Sequence, residues 1–415
     1  MSRRSPRLRL AAAALALILV APLAGAAEKT YVAQSLWSAK HLAGVDAAWM
    51  KTRPVWIEKP EGREVRVGIL ASGIDTTHPD LRDVQVTFKD FSGDATGRMR
   101  TEPYDDQGYG TFLAGIVAGG GHFQWNPLQP YWLVGARGVA PEVDLLVAKA
   151  IRADGATHDA ELALALRWLV DPDGDPTTPD GSQIVLIPTA LERPRLSPSL
   201  ANPLALGDAT KDVAQKAIAR GVVLVVAAGD QSNAHPLPPG DLPGALVVGA
   251  VDRTGARAEF GSKGASLDVL APGILVGPWP EALDTLDFAE DGYSSVAGSG
   301  VAAAFAAGVV ALLMEGDPEL AMPTQLEALG LRKVAAVEKA VKSHAVPLGG
   351  KPDEEGAGLI AAEPSLKSVD RGGHDLDWSV VGAMAAIGAL VFALFARSAW
   401  TKAKERARRP KEPAG

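Results

Sequence analysis

Four carboxylates fall within one short run of this sequence, Asp171-Pro-Asp173-Gly-Asp175-Pro-Thr-Thr-Pro-Asp180. Alternating oxygen ligands along a loop suit a hard cation such as calcium, because carboxylates on every second residue can converge on one centre. Asp171, Asp173, Asp175 and Asp180 are therefore a candidate calcium set, and structural calcium is the one cofactor the residues invite. The run lacks a glycine at its sixth position and a carboxylate at its twelfth, so the same residues also read as a solvated acidic turn. The chain has no cysteine. That removes thiolate metal sites, cysteine nucleophiles and disulfides together.

A frame must hold such residues in place, and the composition can supply one. The chain has 415 residues, 47% apolar and 22% charged, enough core for one large α/β domain or two smaller ones. Net charge is −8, and the basic residues gather at the two ends. Without a basic stripe in the middle, nucleic acid is not an expected partner. Short apolar runs at Val65–Leu70, Val143–Ala148, Ile184–Ile187, Val222–Ala228 and Leu246–Val251 read as buried strands. Between them, Asp159–Leu169 and Asp208–Arg220 carry helical spacing, the latter closed by Gly221. Val296–Met314 reads as a long Ala-rich helix. Strands alternating with helices predict a mainly parallel sheet covered on both faces.

The two ends predict a membrane topology. Arg3, Arg4, Arg7 and Arg9 precede the apolar stretch Leu10–Val20, and Ala24-Gly25-Ala26 offers a small-x-small cleavage pattern. Residues 1–26 thus read as a secretory signal peptide. Trp378–Ala396 is uncharged and almost wholly apolar. Its 19 residues, at about 1.5 Å each, nearly match the roughly 30 Å hydrocarbon core of a bilayer. Trp378 and Trp400 lie near its boundaries, and seven Lys and Arg between Arg397 and Lys411 follow, a flank that stays cytoplasmic. The expected order is signal peptide 1–26, exported domain 27–366, linker 367–377, transmembrane helix 378–396 and basic cytoplasmic tail 397–415. The protein is then a single-pass protein of the inner (cytoplasmic) membrane with its domain outside the cytoplasm.

Within the exported domain, seven segments occur in a fixed order: VRVGILASGIDTTHPDL, GYGTFLAGIVAG, GVAPEVDLLVAKAI, VVLVVAAGD, FGSKGASLDVLAPG, AGSGVAAAFAAGVVALL and GAGLIAAEPSL. Together they resemble the sequence blocks of the subtilases, the subtilisin-like serine proteases, over roughly Val45 to Leu366. The resemblance implies a three-layer α/β fold around a mainly parallel central sheet, to which the C-terminal transmembrane helix is added. The layout of signal peptide, domain and anchor is similar to that of mycosins, membrane-anchored subtilases of a bacterial secretion system.

Acyl transfer by a hydroxyl needs a nucleophile, a base, a carboxylate to orient the base, and donors for the oxyanion. At the positions where the family blocks carry these groups, this sequence has other residues. The orienting Asp corresponds to Ala71, the base His to Tyr109, the oxyanion Asn to Asp230 and the nucleophilic Ser to Gly300. The expectation is a domain without the triad, a pseudoprotease that binds a protein partner rather than cutting it. The alternative is a divergent serine-type endopeptidase working through Tyr109, Asp230 or Ser299. Asp75 and His78 read as structural. Ala27–Thr52 is too short for the propeptide usual in active members, so no propeptide is expected. The strand IVLIPTA carries Pro188, which has no N–H to offer an added peptide strand.

Overall fold

The computed structural model describes residues 65–362, apart from 95, 127–128, 189–207, 233–235, 237–239, 241, 285–291, 317–319 and 321–326. The signal peptide, linker, transmembrane helix and cytoplasmic tail expected from the sequence lie outside the described residues.

Seven strands build the central sheet: β1 (Arg66–Ala71), β2 (Val86–Asp90), β5 (Asp144–Lys149), β6 (Ile184–Ile187), β7 (Val223–Ala227), β8 (Leu246–Val251) and β9 (Val269–Pro272). Their order is β2-β5-β1-β6-β7-β8-β9, and every neighbouring pair is parallel. Every residue of β6, β7 and β8 is buried. This explains why these strands read as unbroken apolar runs: helices cover both faces, so neither face needs polar side chains. The edge strand β2 instead alternates, VTFKD, because one of its faces is wetter.

Two helices pack on one face of the sheet, α1 (Tyr109–Ala118) and α4 (Ser299–Gly316). On the other lie α2 (Asp159–Val170) and α3 (Asp208–Ala219), with α5 (Glu327–His344) against α3. The result is the three-layer α/β arrangement with a parallel sheet. Small side chains let α4 lie close under β6, β7, β8 and β9, and all of its residues are buried. Among the described residues it is the one helix long and apolar enough to cross a membrane, and burial in the core accounts for that composition.

Two antiparallel pairs lie outside the central sheet: β3 (Gly120–Asn126) with β4 (Gln129–Arg137), and β10 (Ile274–Pro278) with β11 (Tyr293–Ala297). The second pair corrects one sequence expectation. Val296 and Ala297 do not begin the Ala-rich helix; they pair with Leu275 and Ile274 at the end of β11. Gly298 then breaks the strand, and the helix starts at Ser299.

Candidate functional site

The C-terminal ends of the parallel strands carry the residues that the sequence comparison singled out. Ala71 closes β1 and is fully buried. The next residue, Ser72, donates its hydroxyl to Asp105 Oδ1 at 2.9 Å and accepts the N–H of Gly110 at 2.9 Å. Asp105 in turn accepts the N–H groups of Gln107 and Gly108 on Oδ1, and the N–H and hydroxyl of Thr111 on Oδ2. The Asp105 carboxylate and the Ser72 hydroxyl thus share the free N–H donors at the start of α1, where the helix dipole also favours negative charge. Beneath the same turn, Lys149 is completely buried. Its ammonium donates to Ser72 O, Ile151 O and Asp106 Oδ1 at 2.7–2.8 Å.

This anchoring sets the direction of Tyr109, the first residue of α1. Gly108 before it adopts φ = 99°, and a Cβ there would run into the Trp279 ring, so only glycine fits. Tyr109 is buried and stacks on Phe112 at 6.3 Å between ring centroids. Ala71 lies next to this turn: a Cβ built on Gly110 would be 2.9 Å from the Ala71 Cβ.

The tyrosine hydroxyl points at Gly300. A Cβ built there would meet Tyr109 Oη well inside 3.0 Å, a separation that real Cβ atoms essentially never show, and would lie 3.4 Å from Pro188 Cβ. The phenol therefore fills the volume that any side chain at position 300 would need. Burial pushes the phenol pKa far above its ordinary value, and the negative charge of Asp230 pushes the same way. Tyr109 is a neutral hydroxyl at any physiological pH, so it cannot take a proton.

Asp230 turns toward the backbone of α4. Its Oδ1 accepts the N–H of Ser299 at 2.6 Å, and its Oδ2 lies beside Gly298. Ser299 returns the contact, its Oγ accepting the N–H of Gly229 at 2.9 Å. The loop after β7 and the start of α4 are thereby clamped by reciprocal bonds, with a carboxylate at the positive end of the helix. Ser299 has no exposed surface. Nearby, Asp75 Oδ1 holds the N–H and hydroxyl of Thr77. The His78 ring lies buried, Nδ1 accepting the N–H of Asp80 and Nε2 donating to Gly292 O. Ala71, Tyr109, Asp230 and Gly300 are thus gathered at one place, and Asp75 and His78 serve the neighbouring turns.

The acidic loop lies elsewhere, beyond α2. Asp171, Asp173 and Asp180 each bring an oxygen within 4.8 Å of the others, while Asp175 stays outside this group. The geometry is open to a hard cation, yet the carboxylates already have donors. Asp173 accepts from Thr178 and the Asp175 N–H, Asp180 from the Asp173 N–H, and Asp171 from Arg220. Asp175 is held by the hydroxyl and N–H of Thr177, which lower its pKa.

Two contributors to the site were not singled out from the sequence, Asp105 and Lys149. The signal for Asp105 was an acidic residue just before a helix start. A lysine inside the apolar run LLVAKA carried no comparable cue.

Comparison with known proteins agrees with this architecture. The subtilase family profile matches residues 62–358. Subtilisin E of Bacillus subtilis (strain 168) is 28% identical over 262 residues, covering 62% of this chain and 57% of that protein. The match therefore spans little more than half of that relative's length. Subtilisin BL of Lederbergia lenta is 27% identical over 307 residues, covering 74% of this chain and 92% of that protein. M-protease of Shouchella clausii is 27% identical over the same length, with 65% of its own chain covered.

Proposed function

This chain belongs to the subtilase family, and we propose that it is a non-catalytic member, a pseudoprotease that acts by holding a protein partner. The observation that carries the reading is the Tyr109 hydroxyl standing in the space a nucleophile at position 300 would occupy. Three other features support it. Ala71 offers nothing to orient an imidazolium, and Tyr109 keeps its proton. Asp230 accepts a hydrogen bond where an oxyanion would need a donor. In characterised enzymes, loss of one triad member costs about 10⁴- to 10⁶-fold in rate. Here three positions and the oxyanion donor are altered together.

The alternative, hydrolysis through Ser299, is disfavoured because that side chain is wholly buried and its oxygen is engaged by Gly229. Placement at the membrane follows from the sequence: export by residues 1–26, the domain 27–366 outside the cytoplasm, a linker 367–377, a span at 378–396 and the basic tail 397–415 inside. Labelling the detergent-solubilised full chain with a fluorophosphonate probe tests the reading. No covalent adduct is expected. An adduct that disappears in Ser299→Ala would overturn it and return the chain to the active serine hydrolases.

A further inference from the structure

Directly after α1 the chain enters a hairpin, β3 with β4, that belongs neither to the central sheet nor to the family site. Tyr109 opens α1 and Gly119 caps it, so 10 helical residues at about 1.5 Å each set the hairpin roughly 15 Å from the tyrosine. Its base is fixed. The Asp80 carbonyl accepts the N–H of Gly120 at the start of β3, and Asp80 Oδ2 accepts the N–H of Ala136 near the end of β4. The same Oδ2 takes the Tyr293 hydroxyl at 2.8 Å, which ties this anchor to β11. Gly121 then adopts φ = 65° at a break in the pairing register, a bulge that bends the strand. Beyond the base, β4 packs against α1 and β10, whereas β3 joins the domain chiefly through β4.

The composition of this hairpin differs from that of the chain around it. Positions 120–136 contain no Asp, Glu, Lys or Arg, although such residues make up 22% of the sequence, and Phe123, Trp125, Tyr131 and Trp132 fall among them. The register pairs Phe123 with Leu133 on one face, and His122 with Val134 and Gln124 with Trp132 on the other. Both faces thus carry apolar residues, and a two-stranded ribbon can lay only one of them on its own domain. Edge strands that meet water are commonly guarded by charges or proline, and β3 has neither. Trp and Tyr favour the boundary between lipid headgroups and acyl chains, where one end of the ring is apolar and the other wet. Residues 363–377 are a tether of at most about 3.6 Å per residue, short enough to hold an anchored domain at the bilayer surface. A hairpin without charge gains nothing from anionic headgroups, so the surface it suits is a neutral one.

We propose that the β3–β4 hairpin docks the exported domain onto the bilayer, seated at the headgroup level of a zwitterionic lipid surface through its four aromatic residues. The proposal rests on the reading of 378–396 as a membrane span. The chain has no native cysteine, so a single introduced cysteine can carry an NBD fluorophore at one position. Gln124→Cys and Gln129→Cys place the label on the hairpin and replace only polar residues. Met99→Cys places it at an exposed site elsewhere in the domain, and Ala386→Cys places it in the span. Each labelled full chain is reconstituted in phosphatidylcholine vesicles with and without nitroxide-bearing phosphatidylcholine. The hairpin labels should emit to the blue of the label at position 99 and lose emission to the nitroxide lipid. Both effects should persist at high salt, since no charge is involved. Hairpin labels that emit as in water overturn the docking. So do labels that are blue-shifted but unquenched, the sign of a protein surface covering the hairpin. In either case a quenched label at position 386 leaves the span standing. An unquenched label at position 386 overturns the span, and the docking with it.

Discussion

Replacing Gly300 by alanine places one methyl group against the Tyr109 hydroxyl, and the size of the effect can be worked from the contacts. Overpacking of this kind costs about 1–3 kcal/mol, while exchanging glycine for alanine in a helix gains up to about 1 kcal/mol. Gly300→Ala should therefore leave the folded state between about neutral and 2 kcal/mol less stable. Tyr109→Phe removes the offending oxygen. The nearest atoms to the new methyl are then the ring Cζ and Pro188 Cβ, both 3.4 Å away and in ordinary contact. On the Tyr109→Phe background, Gly300→Ala should instead stabilise by up to about 1 kcal/mol. The four proteins of this cycle, unfolded in urea and followed by tryptophan fluorescence, should show a coupling of about 1–3 kcal/mol. Effects that add within about 0.5 kcal/mol would mean that the phenol does not fill the position 300 space, and the reasoning would fail.

Two further outcomes follow from the same geometry. Asp230→Ala strands the Ser299 N–H and should cost about 1.5–3 kcal/mol in urea unfolding; Asp230→Asn keeps an acceptor and should lose only about 0.3–1 kcal/mol of helix-dipole stabilisation. Lys333 has a pKa lowered from 10.5 to about 8 by burial, so between these values the unfolded chain binds more protons and stability rises with pH. The penalty is present in full below pH 8. Lys333→Met should therefore stabilise the protein by up to about 3 kcal/mol at pH 7, with the gain disappearing above pH 10.5 in a series of unfolding curves.

Much of the frame could be read from the sequence because buried parallel strands leave a plain signature. Ile184–Ile187 and Leu246–Val251 are apolar throughout since helices cover both their faces. Asp159–Val170 keeps one apolar stripe facing the sheet, so its spacing gave it away. The boundary between β11 and α4 was hidden: both are rich in small apolar residues, and pairing with β10 decides that Val296 is strand. The edge strand β2 and helix α5 carry mixed polar patterns and were not picked out. At the site, the substituted identities at 71, 109, 230 and 300 are visible in the residue blocks. What those residues do to one another is not, because it depends on contacts between distant parts of the chain. The Tyr109 hydroxyl against Gly300 and the Asp230 carboxylate on the Ser299 N–H exist only once β7, α1 and α4 are packed.

The proposed pseudoprotease is a subtilase fold whose hydrolytic chemistry has been replaced by packing. Release of peptides from unfolded casein by the detergent-solubilised full chain tests it most directly, read over hours at neutral pH by mass spectrometry. No release above a casein-only control is expected. Steady release that is lost in both Ser299→Ala and Tyr109→Phe would contradict it.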